Sequence, residues 1–144
     1  MEIRRAVPAD LDPVTELVRE FYAIDRHEFD AARVRRALGP LLADDTHGQV
    51  WVLCGDGRID GYGVLTWGYS IESGGRDVLL DELYVRQRGD GLGTRFLTTM
   101  LDAAAAAGAS RVFLETEAHN ERVRAFYARL GFRTEDSAWM SREL

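Results

Sequence analysis

Lysine is absent: all 18 basic side chains of this 144-residue sequence are arginines. That excludes a Walker phosphate loop, whose lysine must follow the glycines to reach the phosphates. Cysteine is nearly absent too. The single Cys54 lies in the apolar run Val50 to Cys54, so it builds no disulfide within the chain and reads as a buried, inert thiol in a reducing, cytoplasmic setting. His27, His47 and His119 are scattered without ligand spacing, and no metal site is expected. With 3 prolines and 14 glycines, the composition is that of neither a disordered nor a fibrous chain. No apolar run approaches the length of a bilayer, and Met1 leads into Glu2, Arg4, Arg5 and Asp10 instead of the apolar centre of a signal peptide. The net charge of -6 argues against a broad nucleic-acid face, which needs clustered cations. It is compatible with a cationic partner such as an amine.

What is present suits one domain over residues 1–144. Apolar residues make up 46% and charged residues 29%, and a chain of this length buries a sufficient core without disulfides or metals. Glu2 to Val7 reads as a short strand. Pro8-Ala9-Asp10 then resembles a turn and cap for a helix from about Asp10 to Tyr22, in which Leu11, Val14, Leu17, Val18 and Phe21 recur at helical spacing. A polar stretch, Asp25 to Asp30, separates it from a second helix carrying Val34, Leu38, Leu41 and Leu42 on one face.

Val50 to Cys54 and Ile59 to Tyr69 are rich in β-branched and aromatic residues, and Gly55-Asp56-Gly57 between them supplies a hairpin turn. After Ser73-Gly74-Gly75, a mostly apolar strand runs from Val78 to Val85; Asp81 and Glu82 are out of place in a segment covered on both faces. A third helix stacks Leu92, Phe96, Met100 and Ala104 and ends near Gly108. Arg111 to Glu117 reads as a strand. Asn120 caps a helix bearing Val123, Phe126, Tyr127 and Leu130, Gly131 ends it, and Trp139 to Leu144 reads as the last strand. A meander followed by alternating strands and helices gives an α/β (α+β) class: a mixed, mostly antiparallel central sheet flanked by about four helices.

The segment Arg88-Gly89-Asp90-Gly91-Leu92-Gly93-Thr94 carries the chain from strand to helix. Amides and the positive end of a helix dipole converge there, so an anionic ligand is expected. Side chains at Gly89, Gly91 or Gly93 would block close approach or forbid the required dihedrals, and Arg88 adds charge at the rim. A dinucleotide fingerprint fails because Phe96 stands where the third glycine belongs, although Glu115 and Glu117 lie near the usual distance for a ribose acid.

Together, Leu80 to Leu97 and Asn120 to Phe132 resemble the two signature regions of the GNAT superfamily of acetyl-CoA-dependent N-acetyltransferases, and the order of elements from Ile3 to Leu144 is similar throughout. The family's pyrophosphate motif (Arg or Gln, two residues, Gly, one residue, Gly or Ala) falls on Arg88, Gly91 and Gly93. The resemblance implies that Arg88 to Thr94 hold the pyrophosphate of acetyl-CoA, that the main chain of Leu83 and Val85 pairs with the pantetheine arm, and that Asn120 opens the helix beside the cofactor. It also implies that Tyr127 protonates the leaving thiolate, whereas spacing alone makes Tyr127 a core residue. One departure stands out: relatives carry about two more residues between the positions of Val85 and Arg88, a span short connections can still bridge. Gly68-Tyr69-Ser70, Gly74-Gly75-Arg76 and Leu80 to Val85, with acids at Asp81 and Glu82, also look similar to the diamine and polyamine N-acetyltransferase branch.

Acetyl transfer to an amine needs a neutral nucleophile, a polarised carbonyl and a proton for the thiolate. Asp81 or Glu82 supplies a carboxylate to take the ammonium proton; neighbours in a regular strand face opposite ways, so only one reaches the cleft unless a bulge intervenes. A backbone N–H near Val85 polarises the carbonyl. Trp67, Tyr69, Tyr22 and Glu28, with Asp30, combine aromatic faces with negative charge and are candidates to line an amine pocket; packing and solvation explain the same residues. Arg122, Arg124 and Arg129 read as a solvated helix face. The sequence thus points to direct transfer to a small-molecule primary amine, without an acyl-enzyme, in a chain that pairs as a homodimer if it follows its family. Acetylation of a protein N-terminus or lysine, and a non-catalytic acyl-CoA sensor, are the alternative readings.

Overall fold

In the computed structural model, which describes residues 1–144, the chain opens with β1 (Glu2–Arg5) and a single 3-10 turn at Pro8–Asp10. Asp10 secures this entry: its carboxylate accepts from the Val7 amide at 2.8 Å and from the Arg4 guanidinium at 2.8 and 3.1 Å. Helix α1 (Leu11–Asp25) follows and runs three residues past the end its spacing predicts, to where Arg26 closes it in a left-handed conformation. Asp30 caps α2 (Ala31–Ala43) by accepting from the Arg33 amide at 3.2 Å. The capping role accounts for an acid first read as part of an amine pocket.

Strands β2 (Gly48–Gly55), β3 (Arg58–Ser70) and β4 (Gly75–Val85) form the expected antiparallel meander; after α3 (Leu92–Ala106), β5 (Val112–Phe113) pairs parallel with β4. The five-stranded order is β1-β2-β3-β4-β5, and α4 (Glu121–Arg129) comes last. Alternation along the strands sorts two cores. Val50, Val52, Tyr62 and Val64 meet Val14, Leu17, Val18, Leu38 and Leu42 on the α1/α2 face. Leu53, Leu65, Val78 and Leu80 meet Phe96, Leu97, Met100 and Ala104 on the α3 face. Gly63 lets α3 sit close, for a Cβ there would lie 2.5 Å from the Met100 sulfur.

Two single-residue bulges interrupt the meander. Leu53 opposes Gly61 while Cys54 opposes Ile59, leaving Asp60 extra in β3. Val64 opposes Glu82 while Leu65 opposes Leu80, leaving Asp81 extra in β4. Two expected strands need correcting. The one placed at Arg111 to Glu117 pairs only at Val112 and Phe113, and Trp139 to Leu144 forms no ladder. A two-residue β5 offers no template on which a last strand can zip, and Trp139 stands 78% exposed.

Leu17 is fully buried on α1, which covers the first core. Leu17→Ala should cost about 2–5 kcal/mol in urea denaturation, with an unchanged m-value.

Candidate functional site

The parallel ladder between β4 and β5 ends at Leu79 and Phe113, so Leu80 to Val85 has no strand on that side. The Arg86 amide donates to the Asp60 carbonyl on β3 at 2.9 Å. Alternation from that bond turns the main-chain groups of Tyr84 toward β3 and those of Leu83 and Val85 toward the open side. The Val78 amide, beyond the bulge, donates to the Arg111 carbonyl on the β5 side, which agrees with this parity. Leu83 and Val85 therefore present free backbone groups along an open edge.

That edge runs into the glycine loop. Gly89, Asp90 and Gly91 all have positive φ, at 107°, 56° and 70°, and Gly91 is the residue from which α3 starts. Aspartate tolerates this region better than most side chains. The Leu92 amide bonds the Gly89 carbonyl at 3.3 Å and the Arg95 amide bonds Gly91 at 3.0 Å, while the amides of Gly89, Asp90, Gly91, Gly93 and Thr94 have no backbone partner. Unpaired donors at a helix start make an anion site. Gly93 differs from the expectation: it is helical, and a Cβ there would meet the Phe126 ring at 3.5 Å, an ordinary contact. Arg88 is exposed at the rim.

The bulge places the two carboxylates differently. Glu82 joins the α1/α2 face, where its Oε2 accepts from the Tyr22 hydroxyl at 2.5 Å and its Oε1 from the Tyr62 hydroxyl at 2.6 Å. Burial pushes the Glu82 carboxyl above the usual range, the two tyrosine donors pull it back, the Asp81 charge adds to the rise and His27 opposes it. Burial, then the Glu82 carboxylate, raises the Tyr22 hydroxyl as well, so it stays a donor. Asp81 has no hydrogen-bond partner and is open to solvent, yet the surrounding protein desolvates it enough to raise its carboxyl. Accessible surface combined with partial desolvation is what a concave site provides.

Tyr127 packs on the α3-side core with Leu83, Val85, Phe126 and Phe132, its ring 5.2 Å from that of Phe126 and 5.6 Å from that of Phe132. Desolvation pushes its hydroxyl up to about 12, keeping the proton on at neutral pH. Asn120 caps α4, accepting from the Val123 amide at 3.1 Å. The remaining aromatic and acidic candidates do not gather at Glu82. Trp67 packs on the opposite face of β3 from Tyr62, with its indole bonded to the Asp45 carbonyl at 2.7 Å. Tyr69 is 85% exposed near the β3–β4 turn, and Glu28 lies exposed before α2. Strand parity sent Trp67 and Tyr69 away from the α1/α2 face. A polar recess of about 480 Å³ lined by Met1, Gly55, Asp56, Arg58, Asp60 and Gln87 holds none of the candidate residues.

Residues that sequence reasoning missed are Tyr62, which orients Glu82, and the group Glu20, Asp60 and Arg86 at the base of the glycine loop. Tyr62 alternates with Val64 toward the first core, a pattern that reads as packing alone. The ion-pair group joins α1, β3 and the end of β4, so its members lie far apart in sequence.

A sheet whose fourth and fifth strands part beside a glycine loop at a helix start is an architecture seen in solved structures. Integron cassette protein HFX_CASS3, from the mobile metagenome of Cole Harbour Salt Marsh, superposes with a TM-score of 0.88 over 99% of this chain and 90% of its own, at 28% identity. A ribosomal-protein-alanine N-acetyltransferase from Brucella melitensis biovar Abortus 2308 shares the fold at a TM-score of 0.76 over 99% of this chain and 100% of its own, with 20% identity. The sequence goes further: residues 11–132 match the Acetyltransferase (GNAT) family, and the chain belongs to that family. It is 28% identical over 92% of its length to the uncharacterized N-acetyltransferase YhfO of Bacillus subtilis, covering 89% of that protein. Over 54% of its length it is 39% identical to the uncharacterized N-acetyltransferase Rv2669 of Mycobacterium tuberculosis, where the match spans 48% of the relative. No helix is long and apolar enough to cross a membrane.

The raised Glu82 carboxyl has a signed consequence. A folded value above the unfolded one, near 4.3 for glutamate, gives a contribution complete below about pH 4 and lost as pH climbs through the folded value. Glu82→Gln removes that loss. Its stability relative to wild type should rise in thermal melts as pH climbs above about 4 and stay flat below that. The depressed carboxyls of Asp10 and Glu20, each held down by its arginine partner, lose stability in the acid direction in both proteins and cancel in the difference.

Proposed function

We propose that the chain is an acetyl-CoA-dependent N-acetyltransferase that moves the acetyl group to a primary amine of a small molecule by direct transfer in a ternary complex. The observation that carries this reading is the open β4 edge at Leu83 and Val85 running into the unpaired amides of Gly89 to Thr94. An extended main-chain-pairing arm with a diphosphate at one end fits this run of donors and acceptors. When bound, acetyl-CoA supplies the activated thioester.

The chain's own residues supply the rest. Asp81, accessible and unpartnered on its bulge, takes a proton from the incoming ammonium; Glu82, with both oxygens already bonded to tyrosines, deepens the negative field that draws the cation in. The freed amine would then meet the thioester carbon, with a main-chain N–H of the open edge placed to stabilise its oxygen, and the second proton of the nitrogen would leave to solvent as the amide forms. The Tyr127 hydroxyl, protonated at neutral pH, would give its proton to the departing thiolate as the carbon–sulfur bond breaks. Tyr127 shares the α3-side core with Leu83 and Val85, while Glu82 looks to the α1/α2 face. Proton donor and acidic pair thus flank the strand from opposite sides.

Incubation with acetyl-CoA and a panel of primary amines should release free thiol. Tyr127→Phe and Asp81→Asn should each lower kcat by about 100-fold or more, with the affinity for coenzyme A, read by calorimetry, within about 2-fold of wild type. Tight binding of coenzyme A without turnover on any amine would favour the acyl-CoA sensor instead.

A further inference from the structure

Two residues, Arg86 and Gln87, carry the chain from the end of β4 to Arg88. The loop beyond them is closed by little more than the 3.3 Å bond from the Leu92 amide to the Gly89 carbonyl. Its stem, by contrast, is tied on three sides. The Arg86 amide bonds the Asp60 carbonyl at 2.9 Å. Its guanidinium grips Glu20 of α1 in a fork, Nε to Oε2 at 2.9 Å and Nη2 to Oε1 at 2.6 Å, while Nη1 donates to the Ile59 carbonyl at 3.2 Å and to Asp60 Oδ1 at 3.3 Å. Glu20 also accepts from the Tyr84 hydroxyl at 3.3 Å, and Asp60 from Arg58 at 2.7 Å. Arg86 is therefore the joint at which α1, the β3 bulge and β4 meet.

We propose that this Arg86–Glu20–Asp60 clamp is the positioning device of the cofactor loop: it holds Arg88 to Leu92 in the phosphate-receiving conformation, with Arg86 acting through the backbone and not as a phosphate ligand. The inference rests on the coenzyme A reading given above. The charge arrangement supports it. Arg86 is matched by two carboxylates, and it keeps the Glu20 carboxyl below the usual range through their hydrogen bonds; the arginine exposed toward the loop rim is Arg88. A bidentate fork also fixes orientation in a way a lone point charge does not. With only Gln87 between clamp and loop, an angular change at Arg86 passes directly to the amides that follow.

The two roles for Arg86 give opposite results in Glu20→Gln. If the clamp positions the loop, losing the fork reduces the competent fraction, and the Kd for coenzyme A rises by about 10-fold in both Glu20→Gln and Arg86→Gln, with Arg86→Lys intermediate. Hydrogen exchange of the Leu92 amide, the loop's hydrogen-bonded one, measured without coenzyme A, should speed up by about 10-fold or more. If Arg86 binds phosphate itself, Glu20→Gln frees it and affinity holds or improves; that result, or unchanged loop exchange, overturns the proposal. Should Glu20→Gln fail a thermal-melt check for folding, Tyr84→Phe loosens Glu20 more gently and should shift exchange in the same direction. Wild-type protein that does not bind coenzyme A would sink the cofactor reading, while the exchange measurement on the free protein still decides whether the clamp orders the loop.

Discussion

The end of the parallel ladder at Leu79 and Phe113 is the constraint on which the site depends. A sheet normally satisfies its main-chain groups with the next strand, and here β4 continues for six more residues, Leu80 to Val85, without one. The Asp81 bulge sits at the start of this unpaired stretch, where the extra residue adds twist and bends the strand. Both the exposed edge and the location of the acidic pair follow from that one inserted residue. It shifts the alternation by one residue, so that Leu80 and Leu83 both point at α3 while Glu82 goes to the other face.

That other face shows what function costs in stability. A carboxylate placed against Tyr62, which is fully buried, loses hydration, and the two phenol hydroxyls return only part of it, as the net rise in the Glu82 carboxyl indicates. A leucine at position 82 would face no such desolvation. On the opposite side of the sheet, Tyr127 joins Leu83 and Val85 on the α3-side core, with the Phe126 and Phe132 rings against it. One strand thus divides a polar face, where Glu82 meets two tyrosine hydroxyls, from a drier one around Tyr127.

Much of this could be read from the residues. The periodic helices, the two hairpins, the Asn120 cap and the glycine loop are local in origin, set by spacing and turn chemistry within a few residues. That a bulge would be needed to bring both Asp81 and Glu82 to the cleft was also legible, since regular alternation turns adjacent acids to opposite faces. Its position was not, because a bulge is a property of two strands and their register. The same reason hid the partnership of Tyr22, Tyr62 and Glu82, whose members come from α1, β3 and β4. Composition groups Trp67 and Tyr69 with Tyr22, Glu28 and Asp30, and strand parity separates the first two from Tyr22. Trp139 to Leu144 has the makeup of a strand, but pairing needs a neighbour long enough to receive it, and β5 is two residues long.

The glycines of the loop before α3 are not equivalent, which bears on how the segment can drift. Position 91 turns back at a φ of 70° with open space around a hypothetical Cβ; crowding is no obstacle there, and the objection to a side chain is torsional. Position 93 has an unstrained helical backbone and room for a methyl against Phe126, so alanine is admissible at 93 and disfavoured at 91. The room for a methyl at position 93 can thus be traced to the Phe126 ring on α4, which stands 3.5 Å from where that carbon would lie.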